Sequence, residues 1–160
     1  MDVKSLNADE LISLRIKVER ELKSRGIRFS VGEIAEKLAI EYFNSTPGLP
    51  NLLAATTGTK NVDANSRNGE RYSIKAIQIG KKTGTIYPDE EDRDKQLFEY
   101  LLIVKLSSDF TLEALYQFSW KQFVEIRAWD RRMNAWYVPI SKNRLELGKC
   151  LFAKNDEEQK

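Results

Sequence analysis

The stretch "FEYLLIVKL", residues 98–106, constrains the fold of this chain more than any other feature. It is the most apolar run in the sequence. A strand with one solvated face alternates apolar and polar residues, whereas a strand covered on both faces is apolar almost throughout. We therefore predict a central strand at residues 98–106, with packed elements on both sides of its sheet.

Two helices are predicted ahead of this strand, and the first covers residues 7–26. Asn7 and Glu10 fit a capping box at its start, and Gly26 can end it. The apolar residues that share one stripe of this helix are Leu11, Leu14, Val18 and Leu22. Because the opposite face is heavily charged, we expect the helix to pack across an edge of the domain.

The second predicted helix covers residues 30–44, with Ser30 at the N-cap position. Its apolar side is formed by Ile34, Leu38 and Tyr42. The Pro-, Gly- and Thr-rich segment 45–61 predicts a long irregular connection after this helix.

An Asn-Gly pair within "RNGE" predicts a β-hairpin between strands at residues 62–66 and 71–79. A polar loop at 81–96 leads to the central strand, and a further strand is predicted at 111–120. The remaining predicted elements are a helix at 121–132, with Phe123, Ile126 and Trp129 facing inward, and short strands at 135–141 and 145–152.

This order predicts a mixed α/β (α+β) fold, with a mixed central sheet flanked by helices. A length of 160 residues suits one domain, which we assign to residues 1–155, followed by a polar tail at 156–160.

The composition narrows the chemistry that the chain can perform. It contains no histidine and one cysteine, which excludes histidine bases and the usual zinc sites. An enzyme of this composition must use carboxylates, lysine, hydroxyls or a hard metal ion such as Mg²⁺. The single cysteine, Cys150, is expected to be a buried hydrophobe. It cannot form an intrachain disulfide, and with no membrane-spanning run or signal peptide the sequence predicts a cytoplasmic protein without a membrane partner.

A lysine within the second hairpin strand needs an explanation. Lys75 stands between Ile74 and Ala76, where a charge is costly unless it is paired or used. Side chains alternate along a strand, so Ser73 and Lys75 share one face. If the hairpin forms, Asp63 lies near the same end of the sheet, and Glu33 can reach it from the preceding helix.

At these residues the chain resembles the PD-(D/E)XK nuclease superfamily, the restriction-endonuclease-like fold. Glu33 in "GEIAEKLA" matches the family's helical acid, Asp63 in "NVDANS" its first strand acid, and Lys75 in "SIK" its lysine. The likeness covers roughly residues 30 to 128, including the later strand, strand and helix. The resemblance implies that Glu33 and Asp63 bind Mg²⁺, with Mn²⁺ as an alternative. It also implies that Lys75 activates the attacking water.

The chain departs from the family pattern at Ser73, where an aspartate or glutamate is expected. Some members supply the missing acid from the helix, so Glu33 is the first candidate, with Glu36 and Glu41 behind it. Each site residue also has an alternative structural role. Glu33 can complete a capping box with Ser30, Asp63 can be a strand-end residue, and Lys75 can extend to solvent. Ser73 is a small polar filler or, less simply, a catalytic hydroxyl.

Several basic residues are candidates for contacts with nucleic-acid phosphates, despite a net charge of only +2. They are Lys81 and Lys82 in "GKKTG", and Arg127, Arg131 and Arg132 at one helix end in "RAWDRR". A solvated loop and a solvated helix end are the alternatives. Trp120, Trp129 and Trp136 can stack on bases or pack in the core.

The leading hypothesis is a Mg²⁺-dependent DNA endonuclease of restriction or defence type, acting as a homodimer. One alternative is a catalytically inactive member of the same fold that binds nucleic acid or a protein. The other is a plain α+β interaction domain, in which Glu33, Asp63 and Lys75 do not converge.

Overall fold

The computed structural model describes residues 1–56 and 58–154, so the predicted polar tail at 156–160 lies outside the described residues. The described chain forms a mixed sheet of six strands in the order β1-β2-β3-β4-β5-β8, with a separate β6-β7 hairpin. The strands are β1 Leu52–Ala54, β2 Ala64–Ser66, β3 Arg71–Ile77, β4 Tyr100–Leu106, β5 Leu112–Ser119, β6 Ala128–Asp130, β7 Ala135–Tyr137 and β8 Lys149–Ala153. The helices are α1 Ala8–Ser24, α2 Val31–Ser45, α3 Trp120–Ile126 and α4 Lys142–Glu146, preceded by a 3₁₀ turn at Val3–Ser5. The prediction of a mixed sheet flanked by helices is confirmed.

Strand β4 is the central strand that the apolar run predicts. It pairs in parallel with β3 and antiparallel with β5. Leu102 and Val104 belong to one buried cluster, which includes α2, and Leu101 and Ile103 belong to a second cluster, which includes α3. Both faces of β4 are therefore covered, and the apolar composition of the run follows from this double burial.

The predicted hairpin forms between β2 and β3. Ala64 lies opposite Tyr72 and Asn65 opposite Arg71. Gly69 has φ of +81°, a left-handed conformation that glycine adopts without a steric penalty, so the turn predicted from the Asn-Gly pair is confirmed.

Helix α2 packs on the sheet through a different face from the predicted one. Ala35, Ala39 and Phe43 are fully buried, whereas the predicted stripe of Ile34, Leu38 and Tyr42 is only half-buried. Alanines at two successive turns allow the helix backbone to approach the sheet closely, and the larger residues pack along its sides.

The predicted packing of α1 across a domain edge is wrong. The capping box of Asn7 and Glu10 is present, and Gly26 follows the helix with φ of +69°. Within the described part of the chain, however, α1 contributes no buried residue. The segment after it touches the domain where Phe29 lies 4.9 Å from the ring of Phe110.

The remaining corrections concern short elements. The predicted helix at 121–132 ends at Ile126, because Ala128–Asp130 turns back as strand β6 and pairs with β7. Trp129 therefore packs against Trp136, at 4.8 Å between ring centroids, and not on an inner helix face. The irregular segment 45–61 contains edge strand β1, and the segment 145–152 divides between α4 and β8. Cys150 is exposed on β8, so its predicted burial is also wrong.

Candidate functional site

Asp63 is fixed where the hairpin ladder ends. Its backbone N–H donates to Tyr72 O at 2.8 Å, and its carbonyl accepts from the N–H of Ala55 at 2.9 Å. The paired residues of the β2-β3 ladder end at Ala64 and Tyr72. Two residues further along β3, the backbone N–H of Ile74 donates to Asp63 Oδ2 at 2.7 Å. The carboxylate therefore has a strand-end role, and its orientation is determined by the backbone on both sides.

Lys75 lies one residue beyond this bond, on the part of β3 that continues past the hairpin. It pairs in register with Ile103 of β4 and is half-buried. Its Nζ donates to Thr85 O at 3.1 Å. This contact holds the ammonium against the loop that follows β3, so Lys75 does not simply extend into solvent.

Glu36, in the second turn of α2, is the acid whose titration is most changed by its neighbours. Its pKa is raised from the usual 4.5 to about 7, and partial burial is the largest cause. The negative charge of Asp63 and a hydrogen bond with its carboxyl raise this pKa as well, as does the charge of Glu33, while the charge of Lys75 opposes the shift. Each of the three residues singled out by sequence is therefore close enough to Glu36 to act on it electrostatically.

Glu33 lies at the edge of this group. Its backbone N–H donates to the Ser30 hydroxyl at 3.2 Å, so Ser30 is the N-cap of α2 as predicted. The Glu33 side chain is exposed. The reciprocal bond of a capping box, present in α1 and α3, is not among the contacts described for α2. Glu41, the third helical candidate, is exposed and pairs with Lys37 at 3.8 Å.

Ser73 lies deeper than its predicted partner on the same strand face. Only 1% of its surface is exposed, and it pairs in register with Leu101, a residue of the second core cluster. A carboxylate at this position would be desolvated by apolar neighbours. The serine is therefore consistent with the small polar filler role, and a catalytic role for it stays a prediction.

Asp63 and Lys75 lie within electrostatic range of Glu36, and Glu33 is exposed in the first turn of the same helix. Among residues 1–56 and 58–154, no three acidic, histidine or cysteine side chains lie close enough together to hold a metal ion by themselves. Mg²⁺ commonly binds proteins through one or two carboxylates and completes its coordination with water and substrate phosphates. A carboxylate pair whose mutual repulsion raises a pKa is chemically suited to such an ion.

The basic residues predicted to contact phosphates divide into two groups. Lys81 and Lys82 are exposed on the loop that carries Thr85, and Arg131 and Arg132 are exposed in the turn between β6 and β7. The assignment of "RAWDRR" to one helix end is wrong, because α3 ends at Ile126.

Arg127 does not belong to an exposed patch. Its side chain is only 8% exposed, and its Nη2 donates to Asp94 at 2.8 Å. The guanidinium stacks 3.8 Å from the Trp136 ring and also approaches Phe123. Arg127 therefore joins the loop before β4 to the β6-β7 hairpin, and the tryptophan has a packing role.

Sequence reasoning ranked Glu36 behind Glu33 and gave no role to Thr85. The resemblance favoured Glu33, but Glu36 is the acid beside Ala35, at the buried side of α2. If the face of α2 that packs on the sheet had been known, Glu36 would have been chosen over Glu33. Nothing in the sequence marks the contact with Thr85, because it is made through a backbone carbonyl.

Comparison with known proteins adds no assignment: no family model matches the chain, and no curated protein matches it. In the part of the chain that the structure describes, none of the helices combines the length and apolar character needed to cross a membrane.

Proposed function

We propose that this protein is a divalent-metal-dependent nuclease that hydrolyses DNA phosphodiester bonds, built on a restriction-endonuclease-like core. One observation carries the proposal. Burial beside Asp63 and Glu33 raises the pKa of Glu36 to about 7, and the charge of Lys75 acts on the same carboxyl in the opposite direction. Glu33, Asp63 and Lys75 are the residues that the nuclease pattern selects from the sequence, and they come from a helix and from both sides of the hairpin.

Glu36 and Asp63 are the residues that would hold the metal ion, with Glu33 at the rim. The donor set fits Mg²⁺ or Mn²⁺, because it consists of carboxylate oxygens whose repulsion a divalent cation would relieve. When bound, such an ion polarises a phosphoryl oxygen and neutralises charge that develops in the reaction.

The chain's own residues position the reactants. Asp63 cannot rotate freely, since Oδ2 is bonded to Ile74 N–H, and its second oxygen is therefore presented in a fixed direction. Lys75 has one N–H occupied by Thr85 O. An ammonium carries further donors, with which Lys75 would orient an attacking water or stabilise a phosphate oxygen.

The exposed lysines at 81 and 82 extend from the loop that holds Lys75, and they would contact the DNA backbone beside the site. An endonuclease of this size would act as a homodimer to cut both strands, in a restriction or defence role.

The test is cleavage of supercoiled plasmid in Mg²⁺ and in EDTA by the wild type and by Asp63→Asn. Asparagine keeps an oxygen acceptor for Ile74 N–H and removes the charge, so the fold should survive. We expect a loss of about 100- to 1000-fold, equivalent to the several kcal/mol that metal-assisted catalysis supplies. Lys75→Met tests the lysine, and Lys142→Met, which changes an exposed lysine of α4, is its matched control.

The proposal fails if the wild type shows no metal-dependent cleavage, or if Asp63→Asn cleaves at the wild-type rate. Lys142→Met should cleave the plasmid at the wild-type rate, and Lys75→Met should cleave it much more slowly.

A second candidate function is DNA binding without cleavage on the same core. It is favoured by Ser73, a buried neutral residue where the family has an acid, which leaves fewer carboxylates for a metal ion. DNA binding by the wild type, with no cleavage in either Mg²⁺ or Mn²⁺, would support this alternative.

A further inference from the structure

Helix α1 exposes apolar side chains that its own domain does not cover. Ile12 and Ile16 are 59% and 44% exposed on one side of the helix, and Leu11 and Val18 are 42% and 49% exposed on another side. Most of the stability of a helix in a protein comes from packing of its apolar face, and not from the helix alone. A partner that covered Ile12 and Ile16 would therefore stabilise α1.

One side of α1 has an ordered distribution of charge. A groove along it is lined by Asp9, Ile12, Ser13, Ile16, Lys17 and Arg20. The acid is at the N-terminal end, the isoleucines are in the middle, and the bases are toward the C-terminal end, where Lys23 continues the series. Ile16 lies midway between Asp9 and Lys23 in the sequence.

The charges at the two ends of this side are available for an intermolecular contact. Among the ion pairs of the described residues, those within α1 and its C-cap are Arg15–Glu19 and Arg25–Glu21. Asp9, Arg20 and Lys23 take part in none of the ion pairs described.

We propose that α1 is a self-association surface, which pairs antiparallel with α1 of a second copy of this chain around a two-fold axis near Ile16. In this arrangement Asp9 of each copy lies opposite Lys23 of the other, and the stem of Arg20 covers Ile12. A parallel pair would place Asp9 against Asp9 and Lys23 against Lys23. The antiparallel pair is therefore the one that matches opposite charges, and its two-fold symmetry is the commonest in soluble oligomers.

A second copy accounts for the surface better than DNA does. A phosphate backbone would pair with the basic side chains of Lys17, Arg20 and Lys23. It would also repel Asp9 and leave Ile12 and Ile16 exposed. A second copy instead pairs Asp9 with Lys23 at both ends and covers Ile12 and Ile16 in the middle. This inference supplies the contact surface for the homodimer proposed above, but it rests on neither the carboxylates nor the metal ion, so self-association and cleavage are tested separately.

The test is sedimentation velocity over a wide protein concentration series, without DNA or metal ion. We expect the wild type to reach twice the chain mass of 18.5 kDa. Ile16→Asp should be monomeric, because it places two carboxylates at the two-fold axis. Ile79→Asp, which changes an exposed isoleucine outside α1, should associate like the wild type.

A charge exchange tests the orientation and does not depend on apolar burial. Asp9→Lys should raise the dissociation constant of the dimer about tenfold, because two like-charged pairs replace two opposite ones. Adding Lys23→Asp to it should restore association. A monomeric wild type, a dimer that Ile16→Asp leaves intact, or a double variant as weak as Asp9→Lys would each overturn the proposal.

Discussion

Helices α1 and α2 are similar in length, at 17 and 15 residues, and both are amphipathic, yet only α2 is built into the domain. The difference lies in where their small residues fall. Ala35 and Ala39 lie a turn apart on α2 and let its backbone reach the sheet, so that Phe43 is buried behind them. Helix α1 has large apolar residues on two sides, separated by the Arg15–Glu19 pair.

Amphipathicity alone therefore does not identify the helix that carries a site. Burial of α2 is what brings Glu36 beside Asp63 and raises its pKa. The charged residues of α1 stay solvated, and their expected role is pairing between molecules.

The largest expected effect comes from truncating the buried face of α2. Phe43→Ala should lower the free energy of unfolding by about 3–5 kcal/mol, because it removes a fully buried ring that packs edge-on against Tyr72. Val18→Ala on α1 should change it by less than about 1 kcal/mol. Urea denaturation at low protein concentration measures both, and similar losses in the two variants would show that α1 is packed as tightly as α2.

A smaller effect is expected from Glu36, in protein kept free of metal by EDTA. Its folded-state pKa of about 7 exceeds its usual 4.5, so the folded state binds the proton more tightly and stability falls as pH rises from about 4.5 to 7. Glu36→Gln removes this loss. At pH 8 it should be more stable than the wild type by about 1–2 kcal/mol, less than the full shift implies because the side chain is only half-buried.

At pH 4 the same variant should match the wild type, since Glu36 is then largely protonated in both states. Glu21→Gln on α1 is the control, because this exposed acid pairs with Arg25 on the surface. Thermal melts across this pH range measure the difference. If the stability difference between Glu36→Gln and the wild type were the same at pH 8 as at pH 4, the surroundings of Glu36 would not disfavour its charged form.

The smallest expected effect concerns salt. If DNA lies beside the site, the double variant Lys81→Ala and Lys82→Ala should reduce the slope of log K against log salt by up to about 1.8. Arg15→Ala with Arg25→Ala, at α1 and its C-cap but outside the proposed self-association side, should leave that slope unchanged. Fluorescence anisotropy with a labelled duplex measures both, and the reverse pattern would assign DNA binding to α1.

Much of the fold could be predicted from local signals. The apolar run at β4, the Asn-Gly turn and the caps of α1 and α2 each depend on short-range chemistry, and each is present. The packing of α1 could not be predicted, because an apolar stripe does not say what covers it. The end of α3 was missed because Trp129 fits helical periodicity as well as a strand.

The site was also predictable only where local signals in the sequence determine it. Asp63 and Lys75 lie beside and on strands whose pairing the hairpin fixes, so their proximity followed from the turn. The choice between Glu33 and Glu36 depended on which face of α2 packs, a tertiary property. The burial of Arg127 depended on Asp94, 33 residues away in the sequence, and on Trp136, which the β6-β7 hairpin folds back toward it.

The proposal that Glu36, on the packed helix, belongs to a nuclease site is tested by the plasmid cleavage rate of Glu36→Gln in Mg²⁺ at pH 8. Glu41→Gln, which changes an exposed acid of the same helix, is the matched control. We predict a loss of about 100-fold or more for Glu36→Gln, as expected when a metal-binding carboxylate is removed, and an unchanged rate for Glu41→Gln. A Glu36→Gln variant that cleaves as fast as the wild type would contradict the assignment of Glu36 to the site.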